Sequence, residues 1–104
     1  MKPEISIVIA TLGFCSLYDT IDSIIKNRGN RNIEILVIGE LKDDRIKRYK
    51  KIKFIKHFPV HFEFGDLSKK RNLGFEKANA EFVAFIDDDV VITKNWMSQG
   101  LKHF

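Results

Sequence analysis

The chain has 104 residues, of which 44% are hydrophobic and 31% charged, with a formal net charge of +4. This is the size of one ordinary domain with one core, too apolar for a disordered segment and without a stretch long enough to span a membrane, so residues 1–104 are expected to form a single domain. Cys15 is the sole cysteine. It has no intramolecular disulfide partner and no second thiolate for a metal, which fits a reducing, cytoplasmic setting and a buried or half-buried thiol without reactivity.

The first apolar run, Ile5 to Leu12, is β-branched and nearly uninterrupted, as expected of a central strand covered on both faces. Glu4 just before it and a helical pattern just after it distinguish it from a secretory signal. From Ser16, the residues Leu17, Ile21, Ile24 and Ile25 fall on one helical face, Ser16 and Asp19 have capping-box-like spacing, and Gly29 follows the end. Ile33 to Ile38 repeats the buried-strand composition, and Asp43 or Asp44 offers a cap for a short basic helix carrying Ile46 and Tyr49. Lys53 to His57 reads as a more polar strand, its alternating lysines suited to a sheet edge. Val60 to Phe64 alternates apolar and polar residues and fits either a short strand or a loop pinned by aromatics.

Leu67 to Asn79 is helical in pattern, and Glu81 to Asp87 supplies a fourth strand. Thr93 can cap a last helix with Met97, Leu101 and Phe104 on one side. Strand and helix alternate throughout, which predicts an α/β fold with a mainly parallel sheet.

The fourth strand ends in Asp87, Asp88 and Asp89. Adjacent carboxylates repel one another unless a cation or a set of donors faces them. A buried parallel strand that stops at carboxylates suits the crevice where open α/β sheets bind ligands, and hard oxygen ligands favour Mg2+ or Mn2+, which bridge phosphates. The same triplet also suits a solvated acidic turn. The basic cluster from Arg45 to Lys56 offers phosphate contacts, but no aromatic residues interleave as stacking platforms, and a solvated face is the better reading than nucleic-acid binding. His57, His61 and His103 show no metal-ligand spacing and are read as surface or packing residues, and the nine phenylalanines as core and interface filling.

Taken together, ISIVIATL, IEILVI and SKKRNLGFEKANAEFVAFIDDDVVI resemble the family 2 glycosyltransferases with the GT-A fold. Arg71, Asn72 and Gly74 match that family's Arg-Asn-x-Gly helix, and Ala78, Glu81, Phe85, Asp87 and Asp89 its Asp-x-Asp strand end, in identity and spacing. The resemblance covers only the N-terminal, nucleotide-sugar-binding half of the family's domain. It implies a Rossmann-like sheet in the order 3-2-1-4, a nucleoside-diphosphate sugar of UDP type lying across the first strands, and a divalent ion bridging its diphosphate. Carried over by position, Asp89 is the metal ligand, Asp87 contacts the ribose or the ion through water, Arg71 lies near the phosphates, Thr11 and Asn72 contribute to the nucleotide-sugar site, and Asp88 faces solvent.

Two departures qualify this. The family's Pro-Thr-Tyr-Asn after strand one is Ala10, Thr11, Leu12 and Gly13 here, and its Asp-Asp-Gly-Ser after strand two is Gly39, Glu40, Leu41 and Lys42. Glu40 is then the sole acidic candidate for base recognition. The family's acceptor site and general base belong to its C-terminal half, so no catalytic base is assigned. The resemblance therefore implies donor binding for sugar transfer, with a degenerate, non-catalytic interaction or regulatory subunit as the alternative. The apolar fourth strand, without a charged blocker, implies a second copy or subunit along its edge.

Overall fold

The computed structural model describes residues 2–41, 43–49, 52–61 and 67–92. Four strands, β1 (Ile5–Ala10), β2 (Ile33–Ile38), β3 (Ile55–Phe58) and β4 (Phe82–Asp87), alternate with helices α1 (Ser16–Asn27) and α2 (Leu67–Lys77), and a 3-10 helix spans Arg45–Tyr49. The sheet is wholly parallel in the order β3-β2-β1-β4. Every residue of β1 and β2 is buried, which explains their unbroken apolar runs: a central parallel strand is covered on both faces. The expected last helix, with Thr93, Trp96, Met97, Leu101, His103 and Phe104, lies outside the described residues, as do Phe62, Glu63 and Phe64.

Strand alternation divides the core into two layers. On one face, Ile5, Ile7, Ile9, Ile33, Ile35 and Val37 pack with Leu17, Tyr18, Ile21 and Ile24 of α1. Ile92 closes this layer, its N–H donating to Ser23 Oγ at 3.1 Å. On the other face, Val8, Leu36 and Ile38 meet Leu73 and Ala78, with Val83 of β4 beside them. Gly74 lets α2 sit tight against the sheet, since a Cβ there would fall 2.3 Å from Val8 Cγ1. The glycine of the Arg-Asn-x-Gly motif is thus a packing requirement.

Several expectations are corrected. The core is built chiefly of isoleucine, whereas Phe14, Phe75, Phe82 and Phe85 are exposed. Ser16 is the first residue of α1 and not its cap; Cys15 is the N-cap, its backbone is already helical, and no side chain caps the end. Cys15 itself is exposed, because it sits on the loop leading into the helix. The short basic helix is a 3-10 turn, with Asp43 Oδ1 accepting from Arg45 N at 2.9 Å. β1 stops at Ala10, and β3 is shifted toward Phe58 relative to the run that begins at Lys53, because its register follows β2, Ile35 pairing with Ile55 and Ile38 with Phe58.

A buried polar junction fixes the amino ends of the strands. Ser6 and Glu34 are register partners on β1 and β2. Glu34 Oε1 accepts from Ser6 Oγ and Asn79 N, both at 2.6 Å, while Oε2 accepts from Asn79 Nδ2 at 2.9 Å and lies 3.7 Å from Lys56 Nζ. Ala80 N donates to Ser6 Oγ at 3.0 Å. Burial pushes the Glu34 carboxyl up, but the bonds from Ser6 and Asn79 and the charge of Lys56 outweigh it and hold it below the usual carboxylate range. The turn from α2 into β4 is thereby locked to the sheet, which fixes where β4 ends.

Candidate functional site

The carboxyl ends of β2, β1 and β4 lie side by side, which brings Gly39, Thr11 and Asp87 to one rim. A cavity of about 260 Å³ opens there, lined by Ala10, Thr11, Leu12, Leu67, Lys70, Asp87, Asp88 and Asp89. Two larger hollows, about 540 and 480 Å³, lie at the amino ends of the strands around Lys2 and Pro3. We locate the site at the carboxyl rim, because only there do the strand-end loops and the acidic triplet converge, as ligand crevices of open α/β sheets do.

The three aspartates are not equivalent. Asp87 ends β4, is exposed, and accepts from Arg71 Nη2 at 3.3 Å. That ion pair is itself exposed and contributes little to stability, so either partner is free to turn toward a ligand. Asp88 is half-buried, not solvent-facing as expected: its Oδ2 accepts from Thr11 Oγ1 at 2.7 Å and from Leu12 N at 3.3 Å. The turn after β4 directs it across to the β1–α1 loop, where Thr11 Oγ1 also accepts from Gly13 N at 2.9 Å. Asp89 is exposed. Asp88 therefore acts as a strut for the loop and leaves Asp87 and Asp89 presented at the rim.

Thr11 is held from a second direction. Lys70, 5% exposed, donates from Nζ to the Thr11 carbonyl at 2.7 Å. The sequence offered little to single out Lys70 from its neighbour Lys69; its place one turn before Gly74, on the face of α2 that meets the sheet, is the usable signal. Gly39 crowds the same carbonyl: its φ is +137°, and a Cβ would fall 2.3 Å from Thr11 O. Glu40 is exposed beyond it, 3.5 Å from His61 Nδ1, and does not line the cavity. Asn72 is also exposed on α2 and outside the cavity wall.

Among the described residues, no group of three or more histidine, cysteine or carboxylate side chains forms a ready metal cage. Two presented carboxylates on one rim nevertheless fit a hard divalent ion of the Mg2+ type, which takes one or two carboxylates and completes its shell with water and phosphate oxygens. The basic segment looks different. Arg45 is taken up by Asp43 at 2.9 Å and lies over the Tyr18 ring, Lys47 pairs with Asp44 at 3.6 Å, and Lys56 faces Glu34.

The sequence profile of glycosyl transferase family 2 matches residues 6–104. The chain belongs to this family. EpsH of Bacillus subtilis strain 168, whose name assigns it to the glycosyltransferases, is 30% identical over 105 residues, covering 96% of this chain and 30% of its own length. The crystal structure of S. aureus TarS 1-349 superposes with a TM-score of 0.77 at 23% identity, covering 98% of this chain and 32% of that one. The fold is a truncated GT-A fold, in the sheet order expected. The chain thus spans about a third of the length of the family members it matches. Among the described residues, no helix is long and apolar enough to cross a membrane.

Proposed function

We propose that this family 2 chain binds the nucleoside diphosphate of a sugar donor across the carboxyl ends of β2, β1 and β4, with a divalent metal held by Asp89 and assisted by Asp87. The observation that carries the reading is the convergence of the Thr11–Leu12 loop, Lys70 and the three aspartates on one cavity at a parallel sheet's carboxyl rim. Arg71, exposed and within 3.3 Å of Asp87, exchanges that partner for a phosphate. Thr11 shapes the wall, Asn72 contacts the donor from α2, and Glu40 is the acidic candidate at the base. When bound, Mg2+ or Mn2+ stabilises the charge that develops on the leaving diphosphate. Sugar transfer to an acceptor hydroxyl also requires a general base within reach of that hydroxyl. None is assigned in residues 1–104, so we propose that these residues serve donor binding and that the chain transfers little sugar by itself.

Titration calorimetry with UDP and Mn2+ tests this: Asp89→Ala abolishes the metal-dependent binding, whereas equal affinity in the variant sinks the assignment. A second reading, a non-catalytic subunit that keeps the fold, draws on Gly39, which stands where the family's base-recognising aspartate is expected and where the backbone has no room for a side chain. Absence of binding to UDP, GDP and ADP alike, in a protein that melts cooperatively, favours this second reading.

A further inference from the structure

Lysine side chains are almost never fully buried without a paired charge, yet Lys70 is 5% exposed. Its bond goes to the Thr11 carbonyl, 2.7 Å away. A carbonyl is a dipole and satisfies one donor; it does not neutralise an ammonium. By contrast, Arg71 pairs with Asp87 and Lys56 with Glu34. Among the described residues, no carboxylate lies within ion-pair distance of Lys70 Nζ. The ammonium has three N–H donors, and Thr11 uses one.

Lys70 also lines the cavity at the carboxyl rim, as do Leu12 and the three aspartates. A buried cation on a cavity wall, with donors that no other described residue takes up, is an arrangement that a bound anion completes. Lys70 is part of the chain, whereas a metal ion is present only while it is bound. Arg71 has a largely exposed side chain, so its charge is better screened by water than that of Lys70.

We propose that Lys70 is a phosphate-contacting residue of the donor site, a fixed cation that holds the nucleoside diphosphate without a divalent metal as well as with one. This rests on the donor-site reading above. It differs from a purely structural role, in which Lys70 only tethers the Thr11 carbonyl to α2.

The test is calorimetric titration of the protein with UDP, and with inorganic pyrophosphate to remove any dependence on the base, in Mn2+ and in EDTA. Wild type is expected to bind in both buffers, more weakly in EDTA. Lys70→Met, which removes both the charge and the donor, is expected to lose tenfold or more of the EDTA affinity, the order of one charge-assisted hydrogen bond. Lys70→Gln keeps a donor for the Thr11 carbonyl and removes only the charge, and is expected to lose as much. Should Lys70→Met fail to fold, Lys70→Gln, with its melting curve checked, decides alone. If Lys70→Gln binds in EDTA as wild type does, Lys70 is a tether and the proposal is overturned. Wild-type binding in Mn2+ but not in EDTA overturns it too, while leaving the donor site intact. No binding of either probe in either buffer removes the donor-site reading and this proposal together.

Discussion

Gly74→Ala probes the packing that places α2, and with it Lys70 and Arg71, over the sheet. In an ordinary helix the change is favourable by about 1 kcal/mol, because alanine has the higher helix propensity. Here the new Cβ would lie 2.3 Å from Val8 Cγ1 and 3.0 Å from Cγ2. Val8 is fully buried and β-branched, so its choice of rotamers to retreat into is restricted. The helix must withdraw by about 1 Å, which forfeits a quarter to a half of the dispersion energy along the contact face. Overpacking of this kind costs about 1–3 kcal/mol, and the size of the overlap places this case at the upper end. Net of propensity, we expect a loss of about 2 kcal/mol, a fall in Tm of roughly 10 °C for a domain of this length. Val8→Ala removes both clashing methyls, so the double variant should be more stable than the two single losses sum to, with a coupling of about 1–2 kcal/mol. Thermal melts of the four proteins decide it. Gly74→Ala with a Tm at or above wild type refutes the packing argument.

Glu34→Gln leaves Lys56 without its charge partner and turns one acceptor toward Asn79 into a donor, with an expected loss of about 2 kcal/mol at neutral pH. Because the folded carboxyl lies below its ordinary value of 4.5, its stabilisation is full above that pH and disappears as pH falls through the folded value. The gap in Tm between wild type and variant should therefore be widest near neutrality and close in acid; a gap constant with pH contradicts the charged junction. Gly39→Asp restores the residue type expected by resemblance but sets a side chain against the Thr11 carbonyl at a positive φ, and should destabilise by about 2 kcal/mol or more and weaken UDP binding, where tighter binding refutes the steric reading. Exposed Phe82 and Phe85 on the edge strand β4, with Phe75 on α2, lead us to expect concentration-dependent association by light scattering. A monomer that persists at high concentration, with β4 protected from hydrogen exchange, shows that the chain covers its own edge.

Much of the fold was legible because it is written in local pattern. Ile33 to Ile38 emerges as β2 with both ends as read, and the lysines of the third run mark β3 as an edge. What could not be read depends on contacts distant along the chain. Thr11 meets Asp88 across 77 positions and Lys70 across 59, so no window on the sequence shows that Asp88 braces the β1–α1 loop. Ser6 and Glu34 did leave a trace, as the polar interruptions of two otherwise apolar buried strands, but their pairing needs the β1–β2 register. The reading of the phenylalanines as core and interface filling could not be divided between the two, because hydrophobicity alone does not say whether a residue packs inside the sheet or lies exposed at its edge, as Phe82 and Phe85 do.

The most direct measurement of the donor-site claim is the loss of amide signals in the protein's NMR spectrum on adding trace Mn2+, with and without UDP. The ion's paramagnetism erases signals near wherever it settles. With UDP present, we predict erasure centred on Asp87 to Val90 and the Thr11–Gly13 loop, lost in Asp89→Ala, and little effect without UDP because two carboxylates alone hold the ion weakly. Erasure that ignores UDP, or that centres elsewhere on the chain, contradicts a metal-bridged nucleotide site at the carboxyl rim of β1 and β4.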